Sequence, residues 1–355
     1  MIGGRGIFHS MEHRPSYNGL PGGFFGRTAL LALILSMMSG IRASADPPAA
    51  TAILRQASSS EDRPGPGEGL DPEQAALFSR FGGSFVAAAG LRSHYFDYGD
   101  PKAPGTILFL HGICGTGIEA SCLAPHLTPA GFRLIAPDWP GAGLSDLLPS
   151  YSMEALVDWL EGFRAALGLE RFILVGHSFG GFLASRYAAS HPARVERLVL
   201  IDPAGYREEL GPFLNAFVEN APAVGAAVAL YDPWYFEVVS AIQVYRDRSR
   251  VSKEVLDYGA LTLATEAGRD GIREIAVNVV GATPDLDCLG SIACPVLLFW
   301  GEEDRVLPYS FHRRFNRALP YGAVFRPVAD CGHAPQVEFP DLVAADILSA
   351  VAGAR

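Results

Sequence analysis

The sequence lacks the short motifs that identify several large classes of enzyme. It contains no G-x-x-x-x-G-K-[ST] and no G-x-G-x-x-G, the glycine-rich signatures of nucleotide-binding loops. Its nine histidines form no H-E-x-x-H motif and no cluster with cysteine, so a zinc hydrolase is not predicted. We therefore expect neither a metal ion nor an organic cofactor.

Positive charge is also scarce. The chain carries 28 Lys and Arg against 38 Asp and Glu, a net charge of −10. Residues 1–45 hold four Arg and one Glu, so without them 24 basic and 37 acidic residues remain and the net charge becomes −13. Nucleic acids and anionic membrane surfaces attract the opposite charge, so neither is expected as a partner.

Hydrophobic residues, in contrast, make up 49% of the 355 residues, enough to bury a sizeable core. An amphipathic pattern over residues 153–167 predicts a helix, and apolar runs between helical patterns predict strands. These runs lie at 106–110, 171–175, 197–202, 294–300 and 323–328. Alternating strands and helices favour an α/β protein with a mostly parallel sheet and helices on both faces.

The pentapeptide GHSFG at residues 176–180 is the most informative motif of the chain. A predicted strand leads into it and a helical pattern leads out, which is the arrangement of a nucleophile elbow. The central residue of such a turn has a strained backbone, and glycines on both sides leave room for it. Ser178 is therefore predicted to be a nucleophile whose hydroxyl group is pushed into the open.

An elbow of this kind predicts an acid and then a histidine further along the chain. Asp304 follows the predicted strand 294–300, and His333 follows the predicted strand 323–328. Each of them alone would be an ordinary loop residue. Because they occur in the required order at the ends of two strands, we expect Asp304 as the acid and His333 as the base.

The oxyanion hole requires two main-chain N–H donors, one of them from the residue after the nucleophile. Phe179 is that residue. The second donor is expected from the loop HGICGTG at 111–117, whose small residues allow the main chain to approach a ligand, and Ile113 is our candidate. A glycine-rich loop after a strand also occurs in phosphate sites, but the missing nucleotide motifs argue against that interpretation.

Together these motifs resemble those of the α/β-hydrolase fold family, of the single-domain type with a lid. The resemblance covers residues 81–353 and includes DWPGAGLS at 138–145. It implies an eight-stranded, mostly parallel sheet with a core at 81–203 and 291–355 and an inserted helical lid at 204–290. The triad it implies is Ser178, Asp304 and His333, with Ile113 and Phe179 as oxyanion donors. Some members carry the acid one strand earlier, which keeps Asp202 as an alternative to its default interpretation as a structural carboxylate.

The expected lid is rich in aromatic residues, more than a simple connection between strands requires. Most of these rings are expected to pack between the lid and the core, and together they predict an apolar roof over Ser178. The expected substrate is a small to medium hydrophobic ester or another acyl compound. The aromatic residues are Tyr206, Phe213, Phe217, Tyr231, Trp234, Tyr235, Phe236 and Tyr245.

The function expected from this site is hydrolysis of a carboxylic ester through an acyl-enzyme. Haloalkane dehalogenases and epoxide hydrolases of this fold use a carboxylate nucleophile, whereas this position holds Ser178. The same triad also serves C–C bond hydrolases, amidases or peptidases, perhydrolases and acyltransferases, and these alternatives stay open. A binding protein without catalysis is a further alternative, against which the intact triad argues.

The first 45 residues predict in which compartment the protein is found. Three arginines precede an apolar run at 29–38, and the small residues at 43–45 predict a secretory signal cut after Ala45, so the protein is expected to be periplasmic or secreted. The run is shorter than the roughly 20 apolar residues of a membrane span. Arg42 beside the cleavage site keeps an uncleaved N-terminal membrane anchor as an alternative. A transit peptide is a third interpretation.

The next segment, residues 46–80, is rich in Pro, Gly, Ser and Ala and is expected to be a disordered linker. All five cysteines of the chain come after residue 45. Because five is odd, at least one thiol is expected to be free or bonded to another molecule.

Overall fold

The computed structural model describes residues 70–206, 244–280 and 286–352. The expected signal peptide, and the expected linker before residue 70, lie outside these ranges. So do two stretches of the expected lid, 207–243 and 281–285, with six of its eight aromatic residues.

Within the described residues, eight strands form one sheet in the order β1-β2-β4-β3-β5-β6-β7-β8. β2 is antiparallel to β1 and β4, and the other neighbouring strands are parallel. This confirms the mostly parallel eight-stranded sheet. The strands are β1 (Ser84–Ala88), β2 (Leu91–Tyr98), β3 (Gly105–Leu110), β4 (Phe132–Pro137), β5 (Phe172–His177), β6 (Val195–Ile201), β7 (Val296–Gly301) and β8 (Val324–Val328).

Helices cover both faces of this sheet. Trp159 of α3 and Leu183 of α4 belong to the core on one face, and Leu127 of α2 and Ile347 of α9 to the core on the other. The central strand β5 is buried throughout, as expected for a parallel strand between two helical layers. The helices are α1 (Pro72–Phe81), α2 (Ala124–Leu127), α3 (Met153–Ala166), α4 (Phe179–Ser190), α5 (Lys253–Ala264), α6 (Glu266–Glu274), α7 (His312–Ala318), α8 (Pro335–Glu338) and α9 (Pro340–Ala352).

Short 3₁₀ helices and one π-helical turn lie between these elements. They are the 3₁₀ helices Gly117–Cys122, Arg248–Arg250, Cys288–Ser291 and Tyr309–Phe311, and a π-helical turn at Ile275–Val280. Among the described helices, none combines the length and the apolar character needed to cross a bilayer. All five cysteines have free thiols.

One expectation was wrong at its boundary. The linker was predicted to extend to residue 80, but helix α1 already begins at Pro72. Asp71 caps the helix by accepting a hydrogen bond from the main-chain N–H of Gln74 at 2.8 Å, and the Gln74 side chain accepts from Asp71 N–H at 3.3 Å. Phe81 then packs its ring against Tyr258 of α5, with centroids 4.9 Å apart. This reciprocal cap and a proline in the first turn are helix-start signals that the sequence carries openly.

The described part of the insertion between β6 and β7 contains α5 and α6. Tyr258 of α5 donates a hydrogen bond to Asp138 Oδ2 at 2.8 Å, just after β4. Asp138 also pairs with His94 Nδ1 at 2.7 Å and accepts from Gly117 N–H at 2.7 Å. This buried network fastens α5 to the carboxyl end of the sheet, the edge where the predicted site residues lie.

Candidate active site

Ser178 lies in the sharp turn between β5 and α4, with φ at 52° and ψ at −119°. This backbone conformation is strained for a residue other than glycine and is stabilised by its surroundings. The Ser178 N–H donates to Ile201 O at 3.0 Å, and its carbonyl accepts from Gly181 and Ala204 N–H, each at 2.9 Å. The local geometry of a nucleophile elbow is therefore present.

The two glycines of the pentapeptide are required by close main-chain approaches. A Cβ atom on Gly180 would lie 2.3 Å from Leu110 O, and one on Gly176 would lie 2.4 Å from Gly180 O. These distances are far below van der Waals contact. A side chain at position 180 would force the elbow away from β3, and one at position 176 would open the turn itself. At each of the two glycines a main-chain oxygen therefore leaves no room for a side chain, which is the steric reason inferred from the sequence.

The loop after β3 packs directly on the nucleophile. A Cβ atom on Gly112 would lie 3.1 Å from Ser178 Cβ, and the turn is closed by Gly115 N–H donating to Gly112 O at 3.0 Å. Ser178 is 7% exposed, so its side chain is buried in this structure, where the sequence predicted an open hydroxyl. Ile113 lies in the loop and Phe179 begins α4.

A stack of rings supports this loop from behind. The His111 ring lies on the Trp139 ring at a centroid distance of 4.9 Å, and Trp139 contacts Phe179 at 5.4 Å. His111 Nδ1 donates to Gly112 O at 2.8 Å, and burial lowers the pKa of His111, so its ring is neutral. The three residues are at most 2% exposed, so this stack is buried.

His333 and Asp304 are directly bonded. His333 Nδ1 lies 2.7 Å from Asp304 Oδ2, and their side chains are 5% and 0% exposed. Asp304 Oδ1 accepts from the main-chain N–H groups of Val306 and Leu307 at 2.7 and 2.9 Å. Because the carboxylate accepts, Nδ1 carries the hydrogen and the lone pair of the neutral ring is at Nε2. That tautomer is the one a general base requires.

The main chain of His333 is held on both sides. Its N–H donates to Val244 O at 2.7 Å, and its carbonyl accepts from His177 Nε2 at 2.7 Å. The rings of His177 and His333 are 5.0 Å apart, so the base lies beside the elbow. His177 and Val244 were missed by sequence reasoning, although His177 was detectable as the polar residue within the pentapeptide.

Asp202 lies behind this pair, at the end of β6. Its Oδ1 accepts from Gly301 N–H at 2.9 Å. Burial, and then the negative charge of Asp304, raise the pKa of Asp202 well above its ordinary value. The Nδ1–H of His333 is directed to Asp304 instead.

One group of metal-ligating atoms is found among the described residues, formed by Asp202, Asp304 and His333 within 4.8 Å of one another. Two of these residues are already joined at the length of a charge-assisted hydrogen bond. Their chemistry is therefore that of an acid–histidine pair with a second carboxyl behind it, whose pKa is raised.

The sheet brings the predicted residues to one edge. Ile113, Ser178, Asp304 and His333 follow β3, β5, β7 and β8, and Phe179 follows Ser178. Parallel strands end on the same side of a sheet, which is where α/β proteins bind their ligands. Residues separated by more than 200 positions are thus gathered beside one nucleophile.

Comparison with known proteins agrees with this architecture. A family model described as the alpha/beta hydrolase fold matches residues 105–340. The chain is 32% identical over 273 residues to the 2-hydroxy-6-oxo-2,4-heptadienoate hydrolase of Pseudomonas putida, which covers 72% of this chain and 91% of that protein. The chain therefore belongs to the α/β-hydrolase fold family, and it is a hydrolase.

Solved structures give the same fold. A meta-cleavage product hydrolase from Pseudomonas fluorescens is 25% identical, with a TM-score of 0.63 over 77% of this chain and 98% of that one. A thermophilic esterase from Thermogutta terrifontis is 24% identical, with a TM-score of 0.64 over 76% of this chain and 98% of that one. At 24% identity, the similarity to the esterase shows a shared fold alone.

Proposed function

We propose that this hydrolase cleaves carboxylic esters of small to medium hydrophobic acyl groups, with Ser178 as nucleophile, His333 as base and Asp304 as acid. The observation that carries the proposal is the 2.7 Å bond between His333 Nδ1 and Asp304 Oδ2 beside a strained serine elbow. Nucleophile, base and orienting acid are the parts that acyl transfer requires.

In the proposed reaction, His333 Nε2 takes the hydroxyl proton of Ser178 as the oxygen attacks the ester carbonyl. Asp304 holds the ring in its tautomer and stabilises the imidazolium that forms. The oxyanion is bound by the N–H groups of Ile113 and Phe179, each worth roughly 3 kcal/mol in comparable sites. His333 then protonates the leaving alcohol, and water hydrolyses the acyl-enzyme by the same steps.

The preference for apolar acyl groups is supported by the residues around the expected oxyanion loop and by the sequence of the insertion. The loop is backed by the buried, stacked rings of His111, Trp139 and Phe179. The insertion expected at 204–290 is rich in aromatic residues. Apolar surroundings with a few placed polar groups are typical of pockets for small molecules.

Hydrolysis of a C–C bond next to a carbonyl is the second candidate. It is favoured by the relative at 32% identity, named for hydrolysis of 2-hydroxy-6-oxo-2,4-heptadienoate, and by the solved meta-cleavage product hydrolase at 25% identity. The same triad would serve both reactions, so the two candidates differ in substrate recognition and in leaving group.

The deciding experiment compares turnover of p-nitrophenyl esters of increasing acyl length with turnover of 2-hydroxy-6-oxo-2,4-heptadienoate. The protein is tested beside Ser178→Ala and a matched control, Ser185→Ala. The Ser185 hydroxyl is buried in α4, the helix that follows Ser178, and donates to Gly181 O at 2.8 Å. We expect ester turnover that Ser178→Ala abolishes and Ser185→Ala retains. Faster turnover of the dienoate would favour the second candidate, and activity that survives Ser178→Ala would contradict both.

The proposal includes export, with residues 1–45 as a cleaved signal. Arginines before an apolar run and small residues before Asp46 support it. Mass spectrometry of protein from the exported fraction is expected to find Asp46 as the first residue. An intact Met1 in the membrane fraction would instead favour the N-terminal anchor.

A further inference from the structure

A buried cluster of polar side chains lies behind the elbow and has no part in the proposed reaction. His177, which precedes Ser178, faces Glu119 of the 3₁₀ helix Gly117–Cys122, and Glu119 in turn contacts Gln336 of α8. The three residues are 5%, 6% and 0% exposed. Buried polar side chains destabilise a protein unless they pair with one another, so the partners of these three side chains indicate what holds each of them in place.

The partners of His177 fix its hydrogens. Nε2 lies 2.7 Å from the main-chain oxygen of His333, and because a carbonyl can only accept, Nε2 donates. Nδ1 lies 3.6 Å from Glu119 Oε2, an ion-pair contact longer than a hydrogen bond, and has no hydrogen-bond partner among the described residues. Glu119 is therefore the group that faces the second nitrogen of the ring.

Glu119 is held as an anion by the same contacts. Burial alone would raise the pKa of Glu119, but the interaction with His177 and the bond from Gln336 Nε2 at 3.1 Å lower it. The pair also lies under the expected oxyanion loop. A Cβ atom on Gly112 would lie 3.1 Å from His177 Nδ1, and one on Gly115 would lie 2.3 Å from Glu119 Oε1.

We propose that His177, which lies against Glu119, is a positioning residue for His333. Its Nε2–H fixes the main-chain carbonyl of the base beside Ser178. This inference rests on the proposed function, because His333 has to be the base for its position to affect the rate. The hydrogen bond joins the elbow to the loop after β8. Without it, the His333 ring shifts relative to the Ser178 hydroxyl while the acyl pocket is unchanged.

The test compares two amides at position 177. In His177→Gln the amide nitrogen reaches about as far as histidine Nε2 and keeps the bond to the His333 carbonyl, whereas in His177→Asn it falls short. We expect His177→Gln to retain most of kcat. His177→Asn should lose about 10- to 100-fold in kcat, the size expected for a displacement of roughly 1 Å, with KM nearly unchanged.

A matched control comes from a second buried histidine with the same kind of partners. His94 Nδ1 lies 2.7 Å from Asp138 Oδ2, and its Nε2 lies 2.9 Å from Gly82 O. His94→Gln is expected to lower Tm without changing kcat of the folded protein. Equal kcat losses in folded His177→Gln and His177→Asn, or full kcat in His177→Asn, would overturn the inference.

A measurement without turnover separates this inference from the proposed function. ¹⁵N NMR of histidine-labelled protein should show that Nε2 of His177 carries the hydrogen donated to the His333 carbonyl, in the unchanged protein and in Ser178→Ala alike. A His177 ring whose Nε2 carries no hydrogen would contradict the inference even if the enzyme is active. A protein that neither hydrolyses esters nor reacts with a fluorophosphonate at Ser178 would contradict the proposed function instead.

Discussion

Asp202 and Asp304 lie side by side behind His333, at the carboxyl ends of the neighbouring strands β6 and β7, and the ring N–H of His333 is directed to Asp304 at 2.7 Å. Asp202 instead accepts from the main chain at Gly301. Two buried carboxyl groups at this distance cannot both ionise cheaply, and the one bonded to the imidazole carries the charge.

This division of roles predicts different effects for two conservative substitutions. Asp304→Asn should lower kcat by about 10³- to 10⁴-fold, because an amide favours the wrong tautomer of His333. Asp202→Asn should change kcat only severalfold, since its oxygen can still accept from Gly301. Steady-state kinetics on a p-nitrophenyl ester measures both. The reverse ranking would identify Asp202 as the acid.

The raised pKa of Asp202 predicts how stability changes with pH. A carboxyl whose pKa is higher in the folded protein contributes stability that is fully present below its unfolded pKa of about 3.9 and is lost as pH rises through the folded pKa. Asp202→Asn cannot ionise and removes that loss. The Tm of the variant minus that of the unchanged protein should therefore increase as the pH rises above about 4. A difference independent of pH would show that Asp202 titrates alike in both states.

Steric crowding at the elbow predicts a strong effect of one methyl group. In Gly180→Ala the new Cβ would lie 2.3 Å from Leu110 O, so Tm and activity should both fall sharply. Gly290→Ala is the matched control, because a Cβ there meets no atom within 4 Å. We expect a loss of several kcal/mol in unfolding free energy for the first variant and about none for the second. Equal stabilities would refute the close approach of β3.

The bond between α5 and the sheet predicts a third stability effect. Tyr258→Phe removes the hydroxyl that donates to Asp138 Oδ2 at 2.8 Å and should cost about 1.5 to 3 kcal/mol, as for a buried hydrogen bond to a charged group. Tyr321→Phe, at an 87% exposed ring, should cost nothing measurable. Denaturant unfolding of both variants provides the comparison, and an unchanged midpoint for Tyr258→Phe would rule out a stabilising bond.

Much of the fold could be predicted because its signals are local. The apolar runs before Ser178, Asp304 and His333 mark β5, β7 and β8, and glycines 176 and 180 reveal the elbow, since a tight turn excludes side chains. Helix α1 was missed because the composition of the segment outweighed the capping signal at Asp71 and Gln74. A helix start of only a few residues is easily hidden within a Pro- and Gly-rich stretch.

Local signals in the chain are enough to predict β3, β5, β6, β7 and β8, the elbow around Ser178 and the candidates Asp304 and His333, because each depends on residues close together in sequence. Only the folded protein shows which carboxyl pairs with His333, that burial and Asp304 raise the pKa of Asp202, and that His177 and Val244 hold the main chain of the base. These contacts join residues far apart in sequence. Their distances and burial, which set both charge and hydrogen bonding, exist only once the strands are assembled into the sheet.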